Sequence, residues 1–444
     1  MEGYEVIPSA KRLIRSLRDM GYDFGAAVAD LVDNSIEAGA TLVAIDIEFD
    51  GDDSLVRIAD NGRGMRPEQL REAMRFGSER DYGEDSLGKF GLGLKTASMS
   101  QCQRLSVASR SNPARADVAG YCWDLEHIER TNRWEILPLQ RDGVGHAARQ
   151  PLKDTTGTVV VWQQLDRILG YEHPYGLSAR KRLSLMCREV EVHLAMVFHR
   201  FLGGEVRHQR PRLMLNGNEI QGWDPFCRTE RATKALDPIR LAVEYEGATG
   251  EIVLEPFVLP HQDDFSSPDA FRRASGPANW NQQQGFYIYR NGRMIQSGGW
   301  CRLRTADEHT KLARVGLSFS PVLDEAFKIN VSKMRVQLPS AAREEIAQAI
   351  VSVARTAREV YDRKARARSD PKGPGKGQES LRNTSVGSGG PAGSGAPAVS
   401  SRQVQLTLDQ LTGLLMKIAT PAERPVIEEL IRRLEHVLGV VNQS

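Results

Sequence analysis

Around Asp30 the chain alternates apolar and polar positions with the period of a helix. Val28, Leu31, Val32 and Ile36 fall on one side, and Asp30, Asp33, Asn34 and Glu37 fall on the other. Residues three and four apart share a helix face, so these four make one polar stripe. Such a stripe is the wet side of an amphipathic helix, or a group of side chains able to do chemistry. The period then shortens to two. In "TLVAIDIEF", Val43, Ile45 and Ile47 alternate with polar or small neighbours, which predicts a strand, and "SLVRIADNGRGM" is a second β-rich stretch. "TTGTVVVW" places Gly157 and Thr158 at the head of a buried strand. Residues 178–201 read as a helix. "RLMLNGNEIQGWDPF" turns at Asn216–Gly217, and "GFYIYRNGRMIQSGGW" predicts a hairpin at Asn291–Gly292. From Ser340, the spacing of Ile346, Ile350, Val353, Ala357 and Val360 predicts a long amphipathic helix.

The pattern breaks from about Ser369 to Ser401, where Gly, Pro and Ser dominate. This stretch cannot bury enough apolar surface to order itself. As a flexible tether it has a reach of roughly 30 Å. Beyond it, Thr407 with Gln410, and Thr420 with Pro421 and Glu423, form two capping boxes. The helices they start carry Leu408, Leu411, Leu415 and Ile418, then Val426, Ile427, Leu430, Ile431, Leu434 and Leu438. A hairpin that short makes no stable core alone, so it is expected to dimerise or dock on a protein partner.

Composition adds limits. The 444 residues allow two or three domains, and 40% hydrophobic with 26% charged residues is the make-up of a globular chain. The net charge of +2 compels no polyanionic partner. Five scattered cysteines, odd in number and without a CxxC pair, argue against a disulfide framework or a zinc ribbon. No signal peptide and no run of about twenty apolar residues is visible, so no membrane is expected and the cytoplasm is the default location.

Two stretches point to a nucleotide. Asp60 ends its strand beside Asn61, Gly62, Arg63 and Gly64. A carboxylate there can accept from an exocyclic amine, and the glycines let backbone lie against a flat ring, although Asp-Asn-Gly is also ordinary turn chemistry. "SLGKFGLGLKTASMS" has glycines at 88, 91 and 93, lysines at 89 and 95, and a helix start near Leu94, a combination suited to phosphate. It is not a P-loop, because Leu94 separates Gly93 from Lys95.

In this order, the Asn34 helix, "DNGRGM", the glycine-rich stretch and "GT" before a strand resemble the GHKL ATPase superfamily of gyrase-type topoisomerases, heat-shock chaperones, histidine kinases and MutL. The wording of "NSIEAGA" and "GLGLKTASMS" is similar to MutL-like and MORC-like ATPases. The resemblance covers about residues 20 to 165. It implies an α+β chain with ATP and Mg²⁺ as cofactors: a Bergerat-type α/β sandwich over 1–170 and an α/β transducer-like domain over 171–368, which the residue pattern above continues with a disordered linker over 369–402 and a helical hairpin over 403–444. Asn34 would hold Mg²⁺. Asp60 would read the adenine amine, with Gly62, Gly64 and Met65 lining the base. Gly91, Gly93, Leu94 and Lys95 would close over the phosphates, and Thr158 would support Asp60 and the adenine. Asp30 would be the catalytic base, although the family usually has glutamate there. The missing methylene bears on the rate more than on ATP binding; Asp33 and Glu37 are nearby alternatives.

Within "FKINVSKMRVQLP", Lys333 matches the transducer lysine that touches the γ-phosphate, a domain that histidine kinases lack. His193 and His199 read as structural. The basic helix end from Arg363 to Lys376 is a candidate DNA surface. The resemblance implies a slow, ATP-gated homodimeric clamp, with DNA as a possible partner in repair, organisation or defence. The alternative is a nucleotide-binding scaffold with negligible turnover that recruits partners through its C-terminal helices.

Overall fold

The computed structural model describes residues 4, 6–19, 22–77, 87, 93–114, 118–206, 210–329 and 336–369; of 364–369 it describes the backbone alone. Gly91, Lys333, the Gly/Pro/Ser segment and both C-terminal capping boxes lie outside the described residues. The chain is α+β, and the described residues form one compact unit built on two sheets.

The first sheet has eight strands: β1 (Leu42–Glu48), β2 (Leu55–Asp60), β3 (Arg104–Arg110), β4 (Ala119–Asp124), β5 (Leu137–Pro138), β6 (Gly157–Gln163), β7 (Arg212–Leu215) and β8 (Asn218–Glu219). Their order is β5-β4-β3-β6-β2-β1-β7-β8, antiparallel except where β7 runs parallel to β1. The continuous apolar run of β6 has a plain cause. Val160 and Trp162 face the main core, whereas Val159 and Val161 face a smaller one with Ala148 and Leu152, so both faces are covered. Into the main core pack α1 (Ala10–Arg18), α2 (Phe24–Glu37), α3 (Pro67–Met74), α4 (Gly93–Met99) and α5 (Leu125–Thr131). The smaller core is closed by α6 (Gly143–Arg149).

This first layer runs past residue 170. The helix expected over 178–201 is α7 (Leu177–Val197) followed by the short α8 (His199–Leu202), and both contribute to the main core. The β7–β8 hairpin then extends the sheet. Its turn, Asn216 and Gly217, has φ of 46° and 80°, as a two-residue hairpin requires.

The second sheet takes β9 (Lys234–Ala235), β10 (Ile239–Tyr245), β11 (Ala248–Val258), β12 (Gly285–Arg290), β13 (Arg293–Ser297) and β14 (Ala313–Phe319), in the order β10-β11-β14-β12-β13 with β9 on β11. One face is covered by α11 (Arg343–Ser369), which buries Ile346, Ile350, Val353 and Ala357. The other face carries an aromatic cluster of Phe226, Tyr287 and Tyr289 with Met294. Helices α9 (Pro268–Ala274) and α10 (Trp280–Gln283) cross between β11 and β12. The β12–β13 hairpin turns at Asn291–Gly292, φ 48° and 81°, as its sequence predicts. No helix among the described residues is long and apolar enough to cross a membrane.

Candidate functional site

Helix α2 starts on Asp23, whose carboxylate accepts from the Ala26 N–H at 2.7 Å. It packs between α4 and α7, and this splits the polar stripe. Asp30 and Asp33 are 2% and 1% exposed, Asn34 is exposed and Glu37 is half-buried. Buried carboxylates need partners. The Tyr22 hydroxyl donates to Asp30 Oδ2 at 2.9 Å. Asp33 meets Arg293 of β13, whose Nε lies 2.9 Å from Oδ1 and 2.7 Å from Oδ2. Arg293 Nη2 also lies 3.7 Å from Asp30 Oδ1. The first residue of α4 is beside Asp30: a Cβ placed on Gly93 would stand 3.5 Å from Oδ2.

The strand end is tied just as closely. Asp60 Oδ1 accepts from the Gly62 N–H at 2.9 Å and the Thr158 N–H at 3.2 Å. The Ser35 hydroxyl sits 3.2 Å from Oδ2 and 3.1 Å from the Leu31 carbonyl. Burial pushes the Asp60 carboxyl above the usual range, opposed by these bonds and by Arg63. A carboxylate has about four acceptor positions, so one remains for an exocyclic amine. Ser109 knits the surrounding backbone: its hydroxyl accepts from the Met65 N–H, lies on the Gly157 carbonyl and meets the Thr158 hydroxyl, all at 2.9 Å.

The glycines here have a cause that differs from the flat-ring argument. A Cβ on Gly64, φ 64°, would fall 1.9 Å from the Arg110 carbonyl oxygen. One on Gly157, φ 145°, would fall 1.9 Å from the Asp60 carbonyl oxygen, and one on Gly62 would meet Ala38 at 2.8 Å. Backbone fills the positions at Gly64 and Gly157, and Ala38 fills the one at Gly62, so these glycines let β2, β3, β6 and the end of α2 close on one another.

Met65 and Leu94 are half-buried against the main core. Lys95 is 2% exposed, and its Nζ donates to the Ala73 carbonyl at 3.0 Å, near the end of α3. Burial pushes this ammonium down to about 8, against the pull of Glu72. Asp30, Asn34, Asp60, Gly62, Gly64, Met65, Gly93, Leu94, Lys95 and Thr158 therefore come from α2, the end of β2 and the loop after it, the start of α4 and the head of β6. His193 and His199 are held neutral, pushed down to about 4 and about 3 by burial, and His199 Nε2 lies 2.8 Å from the Tyr289 hydroxyl. Among the described residues no group of three or more His, Cys, Asp and Glu side chains is placed to hold a metal by itself.

Sequence reasoning missed Arg293, and a signal for it existed. A two-residue turn at Asn291–Gly292 makes Arg290 and Arg293 cross-strand partners. Like charges directly opposite are destabilising, so each must find its own carboxylate. Arg290 finds Asp324, with Nε at 2.8 Å and 3.0 Å from its two oxygens, and Arg293 finds Asp33.

Residues 22–158 match the family described as histidine kinase-, DNA gyrase B-, and HSP90-like ATPase. Protein MICRORCHIDIA 4 of Arabidopsis thaliana is 37% identical over 90 residues, 19% of this chain and 11% of that protein. DNA mismatch repair protein MutL of Pasteurella multocida is 39% identical over 140 residues, 30% of this chain and 20% of that protein. MutL of Haemophilus influenzae (strain PittEE) is 31% identical over 140 residues, 30% and 19%. The matched stretch thus spans about a tenth to a fifth of these relatives.

Proposed function

From an ATPase domain of the histidine kinase-, DNA gyrase B- and HSP90-like family at residues 22–158, we propose that this chain binds ATP where α2, the end of β2 and the head of β6 meet, and hydrolyses it slowly. The observation that carries the reading is Asp60. Its carboxylate is fixed by three donors and keeps acceptor capacity for the adenine amine. Thr158 supports it through its own N–H and, with Met65, through Ser109. Gly62, Gly64 and Met65 are assigned to the base, Gly93, Leu94 and Lys95 at the start of α4 to the phosphates, and Gly91 to the phosphates on sequence alone. Lys333 is assigned to the γ-phosphate on sequence alone.

The residues present fit a magnesium ion that arrives with the nucleotide. Asn34 offers an exposed amide oxygen on the same helix as Asp30, and Mg²⁺ ordinarily takes few protein ligands, filling its shell with phosphate oxygens and water. When bound, the ion would supply neutralisation of phosphate charge. Asp30 is the base that orients the attacking water, four residues from Asn34 on α2, with its carboxylate steadied by Tyr22.

By analogy with the MutL relatives, whose name is DNA mismatch repair protein, the chain acts on DNA as an ATP-gated homodimeric clamp. The burial of Asp30 favours a second reading, a nucleotide-holding scaffold with negligible turnover. Steady-state phosphate release, with and without double-stranded DNA, decides between them. Asp30→Asn should bind a nonhydrolysable analogue like wild type and turn over roughly 10²-fold slower or less. Asn34→Ala should weaken Mg²⁺-dependent binding itself. Turnover in wild type that Asp30→Asn leaves unchanged would remove the base assignment, and no turnover in wild type would leave the scaffold.

A further inference from the structure

We propose that Arg293 is a positioning residue: it sets the carboxylate of Asp30 and couples the second sheet to the nucleotide site, an inference that rests on the ATP reading above. Arg293 is the first residue of β13, directly after the Asn291–Gly292 turn, and is 3% exposed. Its Nε holds both oxygens of Asp33, Nη2 faces Asp30 Oδ1 at 3.7 Å, and Nη1 donates to the Met294 carbonyl at 3.2 Å. The guanidinium carbon lies 5.9 Å from the Phe198 ring centroid.

Asp30 is therefore addressed from both sides, by Tyr22 at Oδ2 and by Arg293 at Oδ1. A planar fork that is fixed on one carboxylate holds its remaining nitrogen at a set place beside the other. The neighbouring hairpin position repeats the arrangement: Arg290 is locked on Asp324, both 7% exposed at the side chain. The hairpin is thus clamped to α2 on one side and to the Pro321–Leu323 turn and Asp324 on the other. A shift of α2 when nucleotide binds moves the hairpin, and a shift of the hairpin moves Asp30.

The decisive experiment replaces the buried pair by apolar side chains, Arg293→Met together with Asp33→Leu, since well-packed apolar residues commonly restore what a broken buried pair loses. This variant should unfold near the wild-type temperature and bind a nonhydrolysable ATP analogue within about threefold of wild type. Its kcat should fall roughly tenfold to 10²-fold with KM little changed, because an ångström of misplacement costs about that much. Wild-type kcat in this variant would overturn the proposal, leaving Arg293 as the counter-charge of Asp33 alone. Should the pair variant fail to fold, Arg293→Lys decides: it keeps the charge and loses the fork, so kcat should fall about tenfold at constant KM, and unchanged turnover would overturn the proposal. Hydrogen exchange gives a readout apart from turnover. Analogue binding should protect amides of residues 288–296 in wild type and not in the pair variant; equal protection in both would overturn the coupling. If wild type releases no phosphate, the hydrolysis reading fails and the exchange measurement still tests the coupling.

Discussion

Replacing Asp60 by asparagine should separate nucleotide binding from folding. In the variant the amide oxygen takes the place of Oδ1 and keeps the Gly62 and Thr158 N–H bonds. The amide nitrogen then takes the place of Oδ2 and donates to the Ser35 hydroxyl, so nothing in the fold is orphaned. For the adenine the change is unfavourable, because its amine now meets a donor where it had an anionic acceptor. A lost charge-assisted hydrogen bond costs about 1.5–3 kcal/mol, which is roughly a 10- to 150-fold rise in Kd. Stability should move the other way. Burial holds the folded Asp60 carboxyl above its unfolded value, so the folded state favours the protonated form. The stability this group contributes is present below the unfolded value and is lost as pH rises through the folded one. Asparagine has no charge to desolvate. The variant should therefore match wild type near about pH 4 and be at least as stable near pH 8, with the gap opening through the carboxylate range above about pH 4. Calorimetric titration with a nonhydrolysable ATP analogue and urea unfolding at both pH values read the two halves. A Kd within threefold of wild type would remove Asp60 from the base site, whatever the stability shows.

Two further outcomes follow from backbone and tail. Gly64→Ala puts a methyl 1.9 Å from the Arg110 carbonyl oxygen at a φ of 64°, and should cost about 3 kcal/mol or more, read as a lowered urea midpoint; a midpoint like wild type would refute the close approach. If the chain is the proposed clamp, deleting 370–444 should leave it monomeric without nucleotide and dimerising with the analogue only at higher protein concentration, since paired tails would raise the effective concentration of the heads to about the millimolar range. Light scattering that finds the truncated chain monomeric at high concentration with bound analogue would end the clamp model.

What the sequence made legible was local. Period-two alternation found β1, Asn-Gly pairs found the two-residue turns at 216–217 and 291–292 but not the third, at Glu246–Gly247, and the spacing of Ile346, Ile350, Val353 and Ala357 found the buried side of α11. These follow from rules acting over a few residues. Two things were not local. The end of the first layer lies beyond residue 170 because β7 pairs parallel with β1 across more than 160 positions, and no nearby pattern announces such a pairing. The fate of the α2 stripe was the other. Periodicity puts Asp30, Asp33 and Asn34 on one face, but only tertiary packing decides that α7 and Arg293 cover the first two and leave Asn34 exposed. The glycines of "DNGRG" read from the sequence as room for a flat ring; where a Cβ would stand, the structure instead puts Arg110 of β3 against Gly64 and Ala38, just past α2, against Gly62, neighbours that no local pattern announces.

The second sheet is part of the site's electrostatics. Two carboxylates buried within one helical turn each lose hydration worth about several kcal/mol, and they repel one another. Tyr22 offers Asp30 a hydrogen bond without charge. The positive charge comes from Arg293, 260 residues later in the chain than Asp33. A first layer without β13 would keep Asp30 and Asp33 on α2 with no guanidinium between them, and the cheapest remedy would be to hydrate that turn of the helix, which also carries Asn34. The buried pair therefore makes the geometry of α2 conditional on the β12–β13 hairpin. Replacing one partner leaves an uncompensated buried charge, while the hairpin's own like-charged pair, Arg290 opposite Arg293, is tolerable only when both acids are engaged. Each half of the molecule supplies the charge that the other must bury, which makes their docking selective for one register of hairpin against helix.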